Sequence, residues 1–137
     1  MLLKFLISVF FISIILVLGY VAYLCTAPLF VSIEQIESVP FSYVPLPFMA
    51  LFGFFVLVIS IAFILLPLQF IRGKRKGSIR WFYIPMLIGA LIGTGVNYAN
   101  FYLVIKPNNM VECPEKAGYK KNLMRDYVSD VSQCEKF

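Results

Sequence analysis

The chain has no histidine, and none of its seven acids falls inside a long apolar run. The first absence removes the zincin helix and the imidazole base of the common serine and cysteine triads. No glycine-rich phosphate loop is present, and Cys113 and Cys134 stand far beyond the spacing of a redox CxxC pair. An ion or proton path through a bilayer needs ionisable groups at depth, and the apolar runs offer none. That counts against a channel or transporter. Glu112 and Glu115 beside Lys116 read as a solvated charge cluster, so the chain is expected to be non-catalytic, with no cofactor and no metal.

Apolar residues are what the chain has in quantity: they make up 61% of its 137 residues against 14% charged, the balance of an integral membrane protein. Residues 5–25, 46–71 and 81–105 are each long enough to cross a hydrocarbon layer roughly 30 Å thick. The expected fold is all-α, with three transmembrane helices. The first run is read as a retained helix, because it exceeds the h-region of a signal peptide and Tyr23-Leu24-Cys25 lacks the small residues of a cleavage site. Cys25 is expected to be an unpaired, buried thiol at the end of that helix.

Charge placement gives the orientation. Lys4 precedes the first run, and Arg72, Lys74, Arg75, Lys76 and Arg80 lie between the second and third, whereas the 26–45 loop carries only Glu34 and Glu37. By the positive-inside bias the N-terminus and the basic loop 72–80 face the cytoplasm, and the 26–45 loop and the C-terminal tail lie outside. The five clustered cations are therefore topology and lipid-headgroup contacts, not a nucleic-acid surface.

Within the membrane domain, residues 1–105, Pro67 and Pro85 are placed to bend the second and third helices. Gly89 and Gly93 have the spacing that lets helix backbones approach closely, and Gly95 and Ala99 repeat it one face away. Packing within the chain is the simplest use of that stripe, with oligomerisation or docking to another membrane protein as the alternative. Asn97 and Asn100 need hydrogen-bond partners in the protein. Together with Glu34, Glu37 and Tyr127, these four residues are candidate contacts for a membrane or periplasmic protein partner. The external loop, with Pro28, Pro40, Pro45 and Pro47 among Phe30, Phe41, Tyr43 and Phe48, is expected to be rigid and to lie along the membrane surface or fold back over the bundle.

In the tail, residues 106–137, Cys113 and Cys134 enclose twenty residues in an oxidising compartment and are expected to pair. Between them Leu123, Met124, Tyr127, Val128 and Val131 recur at helical spacing, which predicts a short amphipathic helix led in by Pro114 and Gly118. A disulfide-bound cap over the bundle is the implied arrangement.

Gly118-Tyr119, the run Tyr127-Val128-Ser129-Asp130-Val131-Ser132-Gln133-Cys134 and the aromatic Trp81-Phe82-Tyr83-Ile84-Pro85 are similar to an uncharacterised family of small polytopic inner-membrane proteins from enterobacteria. In that family a cysteine closely follows the Gly-Tyr pair, whereas Cys113 precedes it here, so the pairing with Cys134 rests on topology. The resemblance implies a bacterial inner-membrane address and no active site. In size, topology and want of catalytic groups the chain also resembles bacterial immunity proteins against membrane-acting toxins. That likeness implies a toxin as partner, and an accessory subunit of a larger inner-membrane complex is the alternative.

Overall fold

The computed structural model describes residues 2–65, 78–114 and 124–136. Helix α1 runs Leu2–Thr26, α2 Leu46–Ser60 with a π turn continuing over Ile61–Leu65, and α3 Arg80–Ala99 with a second π turn over Asn100–Ile105. All three are long and apolar enough to cross a membrane, as expected for a multi-pass protein. Pro67, Arg72, Lys74, Arg75, Lys76, Gly118, Tyr119 and Leu123 lie outside the described residues.

The helices are unequally covered. Pro85, Gly89, Gly93 and Asn97, four apart along α3, are all buried on one stripe that faces α2 and the chain leading into it. A methyl at Gly89 would run into the Phe52 carbonyl and one at Gly93 into the Phe48 carbonyl, while Gly53 lies against the Met86 carbonyl. The two backbones touch because glycine leaves nothing between them. Pro85 sits inside α3 without ending it. The described buried contacts of helix α1 fall in its second half, where Ala22 and Cys25 cluster with Phe48 and Phe52 and Gly19 lies against the Phe55 ring.

Above one end of the bundle lies an antiparallel sheet that helical spacing did not announce. Its strands are β1 (Val39–Ser42), β2 (Val111–Glu112) and β3 (Met124–Val128), in the order β1-β3-β2. The amphipathic helix expected in the tail is therefore a strand, followed by a 3-10 turn over Val131–Lys136. Tyr127 and Val128 satisfy either period over so short a run, and what decides is a partner on each side: Val39 and Glu112 both align with Tyr127, and Val111 aligns with Val128. Pro40 stands in an edge strand, the position a residue without an N–H tolerates. The Cys113 N–H extends the ladder to the Asp126 carbonyl at 3.0 Å, and Cys113 is bonded to Cys134, as expected. Cys25 is free and buried.

The turn from α3 to β2 is made by Lys106–Asn109, with Asn109 at φ 49°, a left-handed position that asparagine tolerates. The π turn before it carries Phe101, Val104 and Ile105 against the cap, where they pack with Val39, Phe41, Met110 and Tyr127. Phe41 is the hub, with its ring centroid 4.8 Å from that of Phe101 and 6.0 Å from that of Tyr127.

The glycine stripe makes a direct prediction. Gly89→Ala and Gly93→Ala push a methyl onto α2 backbone and should each destabilise the purified protein by about 1–3 kcal/mol, the usual cost of overpacking. Gly95 has open space around it, so Gly95→Ala should not. Unfolding midpoints in mixed micelles distinguish the three.

Candidate functional site: the joint between cap and bundle

The asparagines singled out in the third helix are the joint. The Asn97 Oδ1 accepts from the Ser42 N–H at 2.9 Å, and its Nδ2 donates to the Ser42 carbonyl at 2.8 Å. A side-chain amide carries the same donor and acceptor as a peptide, so Asn97 acts as one rung of a further strand on the free edge of β1. Asn100 donates its Nδ2 to the Cys25 carbonyl at 2.9 Å, at the end of α1, and to the Pro40 carbonyl at 3.4 Å. Both asparagines are fully enclosed. Their partners fix which way each amide points: a flip would set oxygen against oxygen.

Beside the cap's core, Tyr43 just past β1 and Tyr127 and Arg125 of β3 converge on the carboxylate of Glu112 in β2. Glu112 Oε2 accepts from the Tyr43 hydroxyl at 2.9 Å and the Tyr127 hydroxyl at 3.1 Å, and the two phenol oxygens are 3.0 Å apart. Glu112 Oε1 lies 3.5 Å from Arg125 Nε. Tyr127 is 7% exposed, and burial first, then its hydrogen bonding with Tyr43 and the charge of Glu112, push its phenol well above the usual tyrosine range. It therefore stays a protonated donor at any physiological pH. A carboxylate braced by two phenols and a guanidinium ties β1, β2 and β3 together; it presents no nucleophile with a base behind it. Among the described residues no cluster of acids and cysteines could hold a metal ion.

Of the candidate contact residues, the structure turns five inward. Gly89 and Gly93 are against α2, Asn97 and Asn100 are spent on the chain's own backbone, and Tyr127 is buried under the cap's core. A partner docking on this form does not reach them, because the small residues and amides are what the bundle itself needs in order to close. Glu34 and Glu37 remain exposed, as does Arg80. Sequence reasoning missed Tyr43, Glu112 and Arg125 as a group. Each is ordinary alone, and only the strand register brings them together.

Fold and joint define a class: a three-helix membrane protein carrying a disulfide-closed β cap keyed into the bundle by side-chain amides. No protein-family model, no curated protein and no solved structure matches this chain.

Two outcomes follow from the joint. Asn97→Leu keeps the volume but removes both amide bonds to the buried Ser42 backbone, at about 1–3 kcal/mol for each bond lost at a buried group; hydrogen exchange at the Ser42 amide should speed up well before that of the α2–α3 amides. The folded Tyr127 phenol holds its proton to higher pH than the unfolded one, so above about pH 10 the unfolded chain binds fewer protons and stability falls as pH rises. Tyr127→Phe should flatten that part of the stability–pH curve, read by far-ultraviolet circular dichroism between pH 9 and 12.

Proposed function

We propose that the chain is a binding module acting by contact, an immunity protein that meets a membrane-acting toxin at a bacterial inner membrane. In this reading the N-terminus and the basic loop are cytoplasmic, and the sheet and C-terminus are periplasmic, as the positive-inside bias directs. The supporting observation is the cap itself. A sheet built from two separate chain segments, closed by the Cys113–Cys134 bond and keyed into α3 by Asn97, is a rigid platform. It carries exposed Glu34 and Glu37 in the same loop as Phe30, which is 85% exposed, and Tyr43. Exposed acids and aromatics on a preorganised surface favour a partner with cationic residues, since little ordering entropy is lost on docking.

In this reading the helical half of the contact falls on α1. The stripe of Gly89, Gly93, Asn97 and Asn100 is filled from within, so an inserted toxin helix would meet α1, of whose membrane span only 6% is buried. The same uncovered helix favours the second reading, an accessory subunit whose α1 packs into a larger inner-membrane complex.

The test is protection. Cells expressing the chain are challenged with any membrane-acting toxin found encoded beside its gene, and survival is compared with that of cells carrying Glu34→Lys with Glu37→Lys. Protection by the natural chain, with at least about a tenfold weaker toxin affinity for the charge-reversed one (~1.4 kcal/mol) at equal membrane level, is the expected result. No protection, with housekeeping membrane subunits co-purifying in stoichiometric amount and losing activity on deletion, would replace the immunity reading with the accessory one.

A further inference from the structure

At the end of the bundle away from the sheet, α2 and α3 part. They are in backbone contact at Gly53, Gly89 and Gly93, yet one turn beyond Gly53 a cavity of about 550 Å³ opens between them. Val56, Ser60 and Ile64, four apart on α2, form one wall, and Trp81, Ile84, Pro85 and Ile88 form the other. Both walls carry an irregularity that keeps the helices from closing again: the π turn beginning at Ile61 and the proline at 85. The floor is apolar, since the Ser60 hydroxyl donates back to the Val56 carbonyl at 2.8 Å. At the mouth stand Ser78 and Arg80, both exposed.

Among the described residues, Arg80 is the charge at that mouth. The sequence has no acid between Glu37 and Glu112, while Arg72, Lys74, Arg75 and Lys76 lie just before Ser78 along the chain. An apolar slot opening beneath a cation at a helix end has the complementarity of an anionic phospholipid, and basic pockets between membrane helices are known to take such headgroups. The volume is that of a small-molecule site, ~300–1,000 Å³. We infer that the α2–α3 wedge holds an acyl chain of an anionic phospholipid with its phosphate on Arg80. This site is separate from the surface proposed to meet a protein partner and stands whether or not the chain confers immunity.

Trp81, the only tryptophan in the chain, lines the wedge and reports on it. The full-length protein is purified in micelles and titrated with phosphatidylglycerol or phosphatidylcholine brominated in mid-chain, and Trp81 quenching is followed. Phosphatidylglycerol should half-quench at about one fifth the mole fraction that phosphatidylcholine needs, the equivalent of ~1 kcal/mol for one cation near the surface. Arg80→Gln should bring the two lipids to near equality. Ser60→Phe, which fills the slot but leaves every cation in place, should remove the preferential quenching while helicity is retained. Equal quenching by both lipids in the natural chain would overturn the inference. So would a preference that survives either substitution, because it would then belong to the basic loop and not to the wedge.

Discussion

One side-chain amide decides how this molecule is put together. A strand edge lying against a membrane helix has backbone donors and acceptors that neither water nor lipid can satisfy, and each one left open costs on the order of a hydrogen bond or more. β1 has β3 along one edge; at Ser42 the other edge is closed by Asn97, whose amide returns both bonds. Because the pairing is two-point, it fixes direction as well as distance. Asn100, just under one turn further along, donates from its Nδ2 to the carbonyls of Cys25 and Pro40, while its buried Oδ1 has no partner among the described residues. The end of α1, the strand and α3 are thus pinned at a common level, and the disulfide, the Phe41 stack and the Glu112 brace all build on that level.

The amide can reach only because the helices below it touch. Along α3 the positions 89, 93 and 97 lie on one stripe, and along the other segment the residues they meet are Phe52, Phe48 and Ser42. The chain runs one way and α3 the other, so the two glycine contacts and the asparagine pair are successive rungs of one interface. Any bulk at 89 or 93 would lift α3 from α2 and draw Asn97 away from Ser42. Small residues and polar residues are usually treated as separate means of joining membrane helices. Here the first is the condition for the second.

Hydropathy was enough to read three spans from the sequence, and charge was enough to single out the cysteine pair, because both are properties of short stretches of chain. Gly89, Gly93, Asn97 and Asn100 stood out for the same local reason: small or polar residues in an apolar helix must be answered by something. What answers them was not legible. Ser42 and Pro40 lie more than fifty residues from the amides, and nothing about either marks it as an exposed strand edge. The tail failed differently. Met124, Tyr127 and Val128 fit a helical period, and the strand they form is specified by residues 39–42 and 111–112, which contribute only when brought alongside. Tyr43, Glu112 and Arg125 were invisible as a group for that reason too.

The Glu112 brace bears on recognition through what it leaves over. Its Oε2 is taken by two phenols and its Oε1 faces Arg125, so this carboxylate is committed to holding three strand segments together. The raised Tyr127 phenol keeps its proton and with it the donor of that bond. Glu34 and Glu37 have no partner among the described residues and stand exposed in the loop that also supplies β1. Of these three acids, one spends its charge on the fold and two keep theirs at the surface. A partner drawn by charge would register on Glu34 and Glu37, and because their loop is tied through β1 to Asn97, their position is set by the bundle below.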